Sequence, residues 1–415
     1  MTKRHLLPVV LASLSLTLTA CTGGSIPTTS SGSTDTVRIG FLAPLTGADA
    51  SVGEGTNNGT RLAIDHINAA GGVNGKKLSL VSQDDQGEAT KGVEVAKKLV
   101  EQNVVAIIGP TWSGVTKAVV TGVTKAAGIP NVSPGATSPE LASFDDGGFF
   151  FRTIPNDTLQ GKAMSRLMQE DGHKKVAILC RGNSYGNGFA DAFVADFNAT
   201  AGNNATKVEY PDTDKQDYRT IKAKIPAGVT AVTLVGYVGD SSSIYRDWIA
   251  ANENVAWRWY FSESLRDTAF STNVANPPRI EGMKGTLPLA AGTYIADFKV
   301  AYKARFNKEP GIYDAYAYDA TMLVGLALAR GKANTAAAVK DNIIAVSHVG
   351  QKQTGFGQAG FTDALAKLAA SGNVDYDGVS GSVDMDTRGE MTGGNYVIWN
   401  WIAGQPVDTA KIYKF

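Results

Sequence analysis

Short apolar runs alternate with longer amphipathic segments from residue 36 onward, and this alternation most constrains what the chain can fold into. The run at 37–42 is continuously apolar apart from Arg38 and Gly40, and residues 55–70 carry apolar side chains at helical spacing. Continuously apolar strands joined by helices are typical of a parallel sheet that is covered on both faces. The predicted fold class is therefore α/β.

The alternation occurs twice, which predicts two similar doubly wound parallel-sheet lobes rather than one large sheet. The first series predicts strands at 37–42, 78–81, 104–108 and 129–132 and helices at 55–70, 88–102 and 113–127. The second series predicts strands at 175–180, 208–210, 231–235 and 257–261 and helices at 156–171, 188–201, 218–225 and 241–251. Later helices at 294–306 and 316–330 are expected to pack onto a lobe already begun. Ligands of such sheets lie beyond the carboxyl ends of the strands.

Length and composition exclude several classes of protein. A chain of 415 residues is too long for a single undivided core. Lys+Arg and Asp+Glu both number 39, so net charge gives no reason to expect a nucleic-acid partner. Two Cys and four His are too few for a zinc framework or a disulfide scaffold. We predict a protein without cofactor or metal.

The amino terminus has the pattern of an export signal. Lys3 and Arg4 precede an apolar run that ends at Ala20 and is too short to span a bilayer permanently. The run ends in L-T-A-C, which resembles a bacterial lipobox and predicts a lipoprotein signal peptide at 1–20 with a diacylglycerol on Cys21. An ordinary secretory signal that contains a cysteine is the alternative. Cys21 is the only cysteine among the first 179 residues, which favours lipidation.

The residues after Cys21 predict a tether to the membrane. Residues 22–34 are almost all Thr, Ser and Gly, so 21–35 is expected to be a flexible segment outside the cytoplasm. The other cysteine, Cys180, ends an apolar run and is expected to be a small buried hydrophobic residue.

Six segments in order resemble the leucine/isoleucine/valine-binding proteins of branched-chain amino acid ABC importers. They are IGFLAPLTG at 39–47, AAGGVNG at 69–75, QDD at 83–85, IGP at 108–110, PGATSPE at 134–140 and YGNG at 185–188. The resemblance covers nearly all of 36–415. It implies the type I periplasmic binding protein fold, in which a hinge of three crossings joins two lobes.

The resemblance also implies how the chain is divided between the lobes. The crossings are expected near 152–155, 284–288 and 373–376. Lobe 1 is then 36–153 plus 286–373, and lobe 2 is 154–285 plus 374–415. Residues 350–370 make a connection longer than the family's usual one, and its role is not predicted.

A free amino acid presents a carboxylate and an ammonium, and both need partners once water leaves. Backbone N–H groups at helix starts suit the carboxylate. The resemblance implies that Ser113 and Thr137 contact the carboxylate, that the Gly135 carbonyl accepts from the ammonium, and that Ala136 belongs to the same site. The simpler interpretations, a helix cap for Ser113 and a turn hydroxyl for Thr137, stay open.

The resemblance gives the ammonium an acidic partner in Glu263, which follows the predicted strand at 257–261. A carboxylate there forms a charge-assisted hydrogen bond that is strong because closure excludes water. The alternative is a surface loop in which Glu263 pairs with Arg266. Asp240 is the rival acid, and the pattern favours it as a helix cap.

Four aromatic residues are expected around the ligand. The resemblance implies that Tyr185 and Tyr237 cover it and that Trp112 and Tyr313 line its side-chain pocket, with partial core packing as the alternative. Two positions depart from the family. Val52 stands where an aromatic residue is frequent, and Trp112 replaces something smaller, so the preferred side chain stays open.

Three rival motifs are weaker. G-x-S-x-G at 182–186 matches an esterase elbow, but its histidine, His348, is predicted in a loop with no strand end to bring it near Ser184, whether Asp314 or Asp319 is the acid. G-x-G-x-x-G at 355–360 follows no predicted strand, which disfavours a dinucleotide. The adjacent Asp84 and Asp85 are more typical of a strand-end turn than of a metal site.

The sequence thus predicts a monomeric, lipid-anchored receptor rather than an enzyme. It is expected to capture a free, branched-chain or otherwise apolar amino acid by hinge closure and to dock on an ABC permease with its ATPase. The alternative is a sensory or transport protein for an amide, urea or another small polar solute, for which Glu263 is unnecessary.

Overall fold

A computed structural model describes residues 36–212, 218–250, 257–274 and 280–415 of the chain. The predictions for 1–35, including the lipidation of Cys21, lie outside the described residues. None of the helices in the described ranges combines the length and the apolar character that crossing a membrane requires.

Two sheets organise the described residues. The first has five parallel strands in the order β2-β1-β3-β4-β5. Their bounds are Thr36–Ala43 (β1), Lys77–Asp84 (β2), Ile107–Ile108 (β3), Asn131–Ser133 (β4) and Phe150–Arg152 (β5). We call this sheet and the helices packed on it the first lobe.

The second sheet has seven strands in the order β12-β11-β10-β9-β8-β6-β7. Their bounds are Lys175–Arg181 (β6), Asn204–Tyr210 (β7), Ala231–Val235 (β8), Arg258–Phe261 (β9), Lys284–Pro288 (β10), Asn395–Ile402 (β11) and Gln405–Lys414 (β12). This sheet and its helices form the second lobe. Strands β11 and β12 pair antiparallel, so the prediction of a purely parallel sheet is wrong at this edge.

Helices cover both faces of each sheet, as predicted. The first lobe carries Ala50–Ala69 (α1), Ala89–Glu101 (α2), Ser113–Val119 (α3), Lys125–Ala127 (α4), Ile295–Phe306 (α10), Asp314–Gly331 (α11), Ala336–His348 (α12) and Gly357–Ser371 (α13). The second lobe carries Asp157–Glu170 (α5), Ser184–Ala199 (α6), Arg219–Lys222 (α7), Val238–Ala250 (α8) and Thr268–Asn273 (α9). A π-helical turn at Val120–Thr124 joins α3 to α4.

Strand β1 shows why the first sheet is buried on both faces. Ile39 and Phe41 pack with α1, α11 and α13 on one face, whereas Leu42 packs with α2 and α3 on the other. All three side chains are fully buried. The later helices α10 to α13 pack in the same hydrophobic cluster as α1. This confirms the prediction that the later helices pack onto a lobe formed by earlier parts of the chain.

In the later part of the chain one helix was not predicted and one prediction is wrong. Residues 357–371 of the long connection form helix α13, whose Phe361 is fully buried against the first-lobe core. His348 ends helix α12 instead of lying in a loop. In both cases the neighbouring Gly-rich sequence weakened the helical pattern. Packing against the core stabilises the helix that forms.

The division of the chain between lobes stays a prediction. Strand β10 belongs wholly to the seven-stranded sheet. Val374, Tyr376 and Val383 pack in the cluster of the five-stranded sheet, before the chain enters β11.

Candidate functional site

The predicted site residues follow the carboxyl ends of strands in both lobes, and the structure brings these ends together. Ser113 begins α3 just after β3, and Thr137 follows β4. Tyr185 follows β6 in the first turn of α6, where the Asn183 side chain caps the helix by accepting from the Gly186 amide at 3.0 Å. Tyr237 follows β8, and Glu263 follows β9.

Ser133 fixes the loop that carries Gly135, Ala136 and Thr137. Its hydroxyl donates to the Pro110 carbonyl at 2.6 Å and accepts from the amides of Gly135 at 3.3 Å and Ala136 at 3.0 Å. These contacts are buried, so the loop is held to the end of β3 from within.

Arg152 fixes the same loop from behind. Its guanidinium donates to the carbonyls of Ala136 at 2.7 Å and Ser138 at 2.9 Å, and it pairs with both carboxylate oxygens of Glu390. Arg152 is fully buried. Because the carbonyls on either side of Thr137 accept from Arg152, the backbone that carries Thr137 is held in one place.

Ser113 does not cap its helix, so that interpretation is wrong. Trp112 occupies the N-cap position of α3, and Ser113 lies in the first turn. The Ser113 hydroxyl accepts a hydrogen bond from the Ser138 amide at 3.1 Å. A hydroxyl has one proton besides its lone pairs, so Ser113 still has a donor to offer.

Glu263 is a buried acid rather than a surface one. Its carboxylate is 1% exposed, accepts from the Gln160 amide at 2.7 Å and lies 3.4 Å from the Tyr313 hydroxyl of the other lobe. Arg266 pairs with Asp408 at 2.8 Å. The alternative in which Glu263 pairs with Arg266 at the surface is therefore wrong.

A second acid, Asp157, lies in the same region and was missed by the sequence reasoning. It is fully buried in the first turn of α5, and no hydrogen bond of good geometry reaches either carboxylate oxygen from the described residues, although the Thr137 hydroxyl lies beside the carboxylate and lowers its pKa. Burial raises the pKa of Asp157 well above its usual range, and the Glu263 charge raises it further. Burial likewise raises the pKa of Glu263. An acid in a first helical turn is so ordinary that no sequence signal set Asp157 apart.

Further buried polar atoms on α5 and on the segments that follow β3 and β4 have no hydrogen bond of good geometry within the described residues. Buried polar groups are hydrogen-bonded in more than nine cases in ten, so a cluster without partners indicates a place for a polar ligand or water. The set comprises the hydroxyls of Thr111, Thr137 and Ser138, the Oε1 atom of Gln160 and both Asp157 oxygens.

Four aromatic rings form a row from one lobe to the other. Tyr185 stacks on Tyr237 with centroids 5.6 Å apart, and Tyr237 lies 4.7 Å from Trp112. Trp112 meets Tyr313 edge to face at 6.1 Å. All four are at least nine-tenths buried. The four rings predicted to surround a ligand thus contact one another between the lobes.

Two cavities open between the lobes on either side of this row. One has a volume of 590 Å³ and is lined by Trp112, Gly114 and Tyr237 among others. The other has a volume of 440 Å³ and is lined by Val52, Ser264 and Tyr313 among others. Ser113, Thr137 and Glu263 line neither cavity, and Glu263 contacts the aromatic row at Tyr313.

Hydrogen bonds join the lobes at two places beside the aromatic row. The Ser51 hydroxyl in α1 donates to Asp267, the N-cap of α9, at 2.7 Å. The Ser184 hydroxyl at the start of α6 donates to Glu140 of the first lobe at 2.8 Å. The lobes are therefore in contact, as expected of a closed two-lobed cleft.

Asp240 serves the structure of the second lobe. It lies in the first turn of α8, where Oδ1 accepts from the Tyr237 amide at 2.8 Å, and Oδ2 accepts from the Tyr210 hydroxyl at 2.6 Å. Arg181 approaches the same carboxylate at 3.4 Å. These contacts agree with the prediction of a capping role.

The geometry disfavours the esterase motif. Ser184 donates to Glu140, and the ring of His348 contacts Ser347. The two acids considered for a triad are occupied elsewhere: Asp314 accepts from the Gly311 amide, and Asp319, inside α11, accepts from Tyr376 and Ser380 of the segment that precedes β11.

The Asp84-Asp85 pair and the G-x-G-x-x-G segment at 355–360 both have structural roles. Asp84 accepts from Leu45, Thr46 and Gln86, as a strand-end turn predicts. Across the described ranges, no group of three His, Cys, Asp or Glu side chains is placed to hold a metal ion. Residues 355–360 lead into α13 and follow no strand of the two sheets.

Two α/β lobes whose facing strand ends enclose polar and aromatic side chains define a two-lobed solute-binding protein. Residues 36–405 match the model of the periplasmic binding protein family, and the chain belongs to that family. This confirms the family that the sequence motifs indicated.

Relatives and a solved structure agree with this assignment. The chain is 37% identical over 39% of its length to the Leu/Ile/Val-binding protein BraC3 of Rhizobium johnstonii, covering 44% of that relative. It is 29% identical over 70% of its length to a leucine-, isoleucine-, valine-, threonine- and alanine-binding protein of Pseudomonas aeruginosa, covering 77% of it. The match to the first relative thus spans less than half of that protein.

The fold is also similar to the substrate-binding protein LivJ of Streptococcus pneumoniae in complex with isoleucine. The TM-score is 0.73 at 24% identity, over 92% of this chain and all of that one. At this identity the similarity supports the fold alone.

Proposed function

We propose that this protein is the extracytoplasmic solute-binding receptor of an ABC importer and captures a free amino acid between its lobes. The observation that carries the proposal is a set of buried acceptors and buried hydroxyl donors that follow strand ends of the two sheets or lie on α5. Asp157, Glu263 and the Gln160 Oε1 atom supply acceptors, and Ser113 and Thr137 supply hydroxyl donors.

This arrangement suits a zwitterion. An ammonium beside Glu263 and Asp157 compensates carboxylates that burial otherwise holds toward their neutral form. The ligand carboxylate then lies against Ser113 and Thr137 of the first lobe, with the Gly135 carbonyl turned to the ammonium. Ala136 contributes backbone to the same loop, and the aromatic row covers the ligand from the solvent side.

Capture of a ligand between lobes requires a hinge, and we propose that role for the three crossings between the lobes: the first near 152–155, the second after β10, and the third between the Val383 region and β11. The ligand favours closure because it contacts both lobes only in the closed state. The closed form then docks on a permease and its ATPase. The two relatives are binding proteins for leucine, isoleucine and valine, which supports an aliphatic amino acid as the ligand class.

We further propose that the mature chain begins at Cys21, carries a lipid there, and acts as a monomer. The lipobox pattern and the Ser/Thr/Gly-rich residues that follow it support this. In this proposal the chain is a receptor rather than an enzyme, and it needs neither cofactor nor metal.

A thermal-shift screen tests the proposal. The purified protein is heated alone and with each of the amino acids, with acetamide and with urea. A ligand at 100 times its Kd stabilises the native state by about 2.7 kcal/mol, which shifts Tm by several degrees. Amino acids should give the large shifts. Large shifts with acetamide or urea and none with amino acids would support the alternative of a small polar solute.

A further inference from the structure

Helix α6 of the second lobe meets the first lobe through two small residues. Its first residue, Ser184, donates to Glu140 of the first lobe at 2.8 Å. Gly188 lies one turn further along the same face of the helix. A Cβ built at Gly188 would lie 2.7 Å from Cδ of Pro139 and 2.8 Å from the Ser138 hydroxyl oxygen. The lobes therefore approach each other at Gly188 more closely than a methyl group would allow.

The first-lobe side of this contact is rigid. The Ser138 hydroxyl can rotate away, but Cδ of Pro139 is part of a ring that is closed on the backbone nitrogen. The backbone before Pro139 is also held, because the Ser138 amide donates to the Ser113 hydroxyl at 3.1 Å and the Ser138 carbonyl accepts from Arg152 at 2.9 Å. A change of rotamer in the first lobe thus makes no room for a side chain at Gly188.

The second-lobe side is fixed by the packing of α6. A Cβ built at Gly161 of α5 would lie 2.7 Å from the backbone nitrogen of Phe193, so α5 and α6 are in close contact. Phe189 and Phe193 of α6 are fully buried. Because neither side can yield locally, an overlap at Gly188 is relieved by moving the lobes apart.

This contact is continuous with the proposed ligand site in both lobes. Ser138 directly follows Thr137, whose hydroxyl is proposed to hold the ligand carboxylate. Tyr185, which is proposed to cover the ligand, lies in the same helix between Ser184 and Gly188. Moving α6 away from Ser138 therefore also moves Tyr185 away from Thr137.

Resting on the proposed function, we infer that the absence of a side chain at Gly188 is what allows the two lobes to close on the ligand. A side chain at this position holds the lobes apart at α6. It lowers the affinity for every ligand by the same factor, because it acts on the closure equilibrium and not on a ligand contact.

Gly188→Ala and Gly188→Leu test the inference. Calorimetry with leucine, isoleucine and valine measures affinity, and thermal unfolding without ligand measures folding. Affinity should fall about tenfold or more in Gly188→Ala, and further in Gly188→Leu, by the same factor for each amino acid. The unliganded Tm should not fall, since Ala and Leu both favour a helix more than Gly does.

A compensating variant locates the overlap. Pro139→Ala removes Cδ, so the double variant with Gly188→Ala should recover most of the lost affinity. Gly239→Ala is the matched control, because Gly239 of α8 also faces the first lobe, but its Cβ would lie at an ordinary contact distance of 3.4 Å from the Cβ of Ala48. Gly239→Ala should keep the wild-type affinity. Gly161→Ala, with its overlap inside one lobe, should lower the unliganded Tm.

Four results would overturn the inference and leave the proposed function standing. They are unchanged affinity in both Gly188 variants, a different factor for each amino acid, no recovery in the double variant, and a fall in unliganded Tm as large as that of Gly161→Ala. Failure of the wild-type protein to bind any amino acid overturns both.

Discussion

The Gln160 side-chain amide donates a 2.7 Å hydrogen bond to Oε2 of Glu263, from one helical turn beyond Asp157. The same NH₂ group lies 3.2 Å from the carbonyl and from the hydroxyl of Thr286 in β10. Helix α5 thus brings to one place an acid that no hydrogen bond of good geometry reaches and the donor that orients a second acid. The Glu263 charge raises the pKa of Asp157, so ionisation of one carboxylate opposes ionisation of the other.

The first prediction concerns pH. Asp157 and Glu263 have raised pKa values, so between the ordinary carboxyl value of about 4 and the raised values the folded protein binds more protons than the unfolded chain. The free energy of unfolding of the unliganded protein should therefore fall as pH rises through this window. Affinity for an amino acid should rise over the same window, because the ammonium pairs with ionised carboxylates.

Thermal unfolding from about pH 5 to about pH 8, with and without leucine, measures both trends. Tyr185, Tyr313 and Tyr396 also face the two acids, but burial raises their pKa values further above this range. The charge of Arg152 also acts on Asp157 and lowers its pKa. A ligand-induced Tm shift that stays constant across this range would show that the two carboxylates do not meet an ammonium.

The second prediction is that Glu263→Gln lowers the affinity for amino acids and raises the free energy of unfolding. The free energy of unfolding above neutral pH should rise by on the order of 1 kcal/mol, because a buried group that resists ionisation is replaced by a neutral one. Amino-acid affinity should fall about 100-fold, since one partner of a buried charge pair is lost. Urea unfolding and calorimetry measure the two effects.

Asp319→Asn is the control for that variant. Asp319 is equally buried, but it accepts from Tyr376, Val379 and Ser380 in the first lobe. Its replacement should lower stability and leave affinity unchanged. Loss of affinity in both variants to the same degree would assign the effect to folding rather than to Glu263.

The third prediction concerns the contact between Ser51 and Asp267. Ser51→Ala removes a 2.7 Å hydrogen bond that exists only while the lobes are together, so it should shift the equilibrium toward the open state. Affinity should fall about two- to tenfold, and by the same factor for every amino acid. Calorimetry with several amino acids measures the factors.

Ser243→Ala serves as the control, because the Ser243 hydroxyl donates to Gly239 within its own helix. It should leave affinity unchanged. A different factor for each ligand in Ser51→Ala would mean that Ser51 contacts the ligand rather than the other lobe.

The fourth prediction concerns the buried Arg152–Glu390 pair. Arg152→Met leaves Glu390 buried without its partner and should lower the free energy of unfolding by about 3–5 kcal/mol. The double variant with Glu390→Gln should recover part of that loss. Arg166→Ala, at an exposed pair with Glu170, should cost less than about 1 kcal/mol. Equal losses for the two arginine variants in urea unfolding would contradict this role of Arg152.

Much of the fold was predictable because apolar periodicity reports local structure. The strand at 231–235 was predicted with its exact bounds, and the stop of α1 was predicted from Gly71 and Gly72, which have φ values of 110° and 85°. Helix α13 was missed because its apolar face is recognisable only from the core residues that pack around Phe361. The antiparallel pair β11 and β12 was missed because periodicity does not indicate which sheet a strand joins.

The site was predictable only where a family motif marks it. Ser113, Thr137 and Glu263 were found by resemblance, and the structure brings them to facing strand ends. Asp157 and Gln160 were not found, because each is unremarkable in a helix. Their significance comes from burial opposite Glu263, which is a tertiary property.

The most direct test of the account compares each amino acid with the same molecule lacking its amine. Calorimetry with leucine against isocaproate, and with glutamine against glutaramate, keeps the carboxylate and the side chain constant. The account predicts that the amino acid binds at least about 100-fold more tightly in each pair that binds at all, because only the ammonium compensates Glu263 and Asp157. Equal affinity for the deaminated partner, or tighter binding of it, would contradict the central claim.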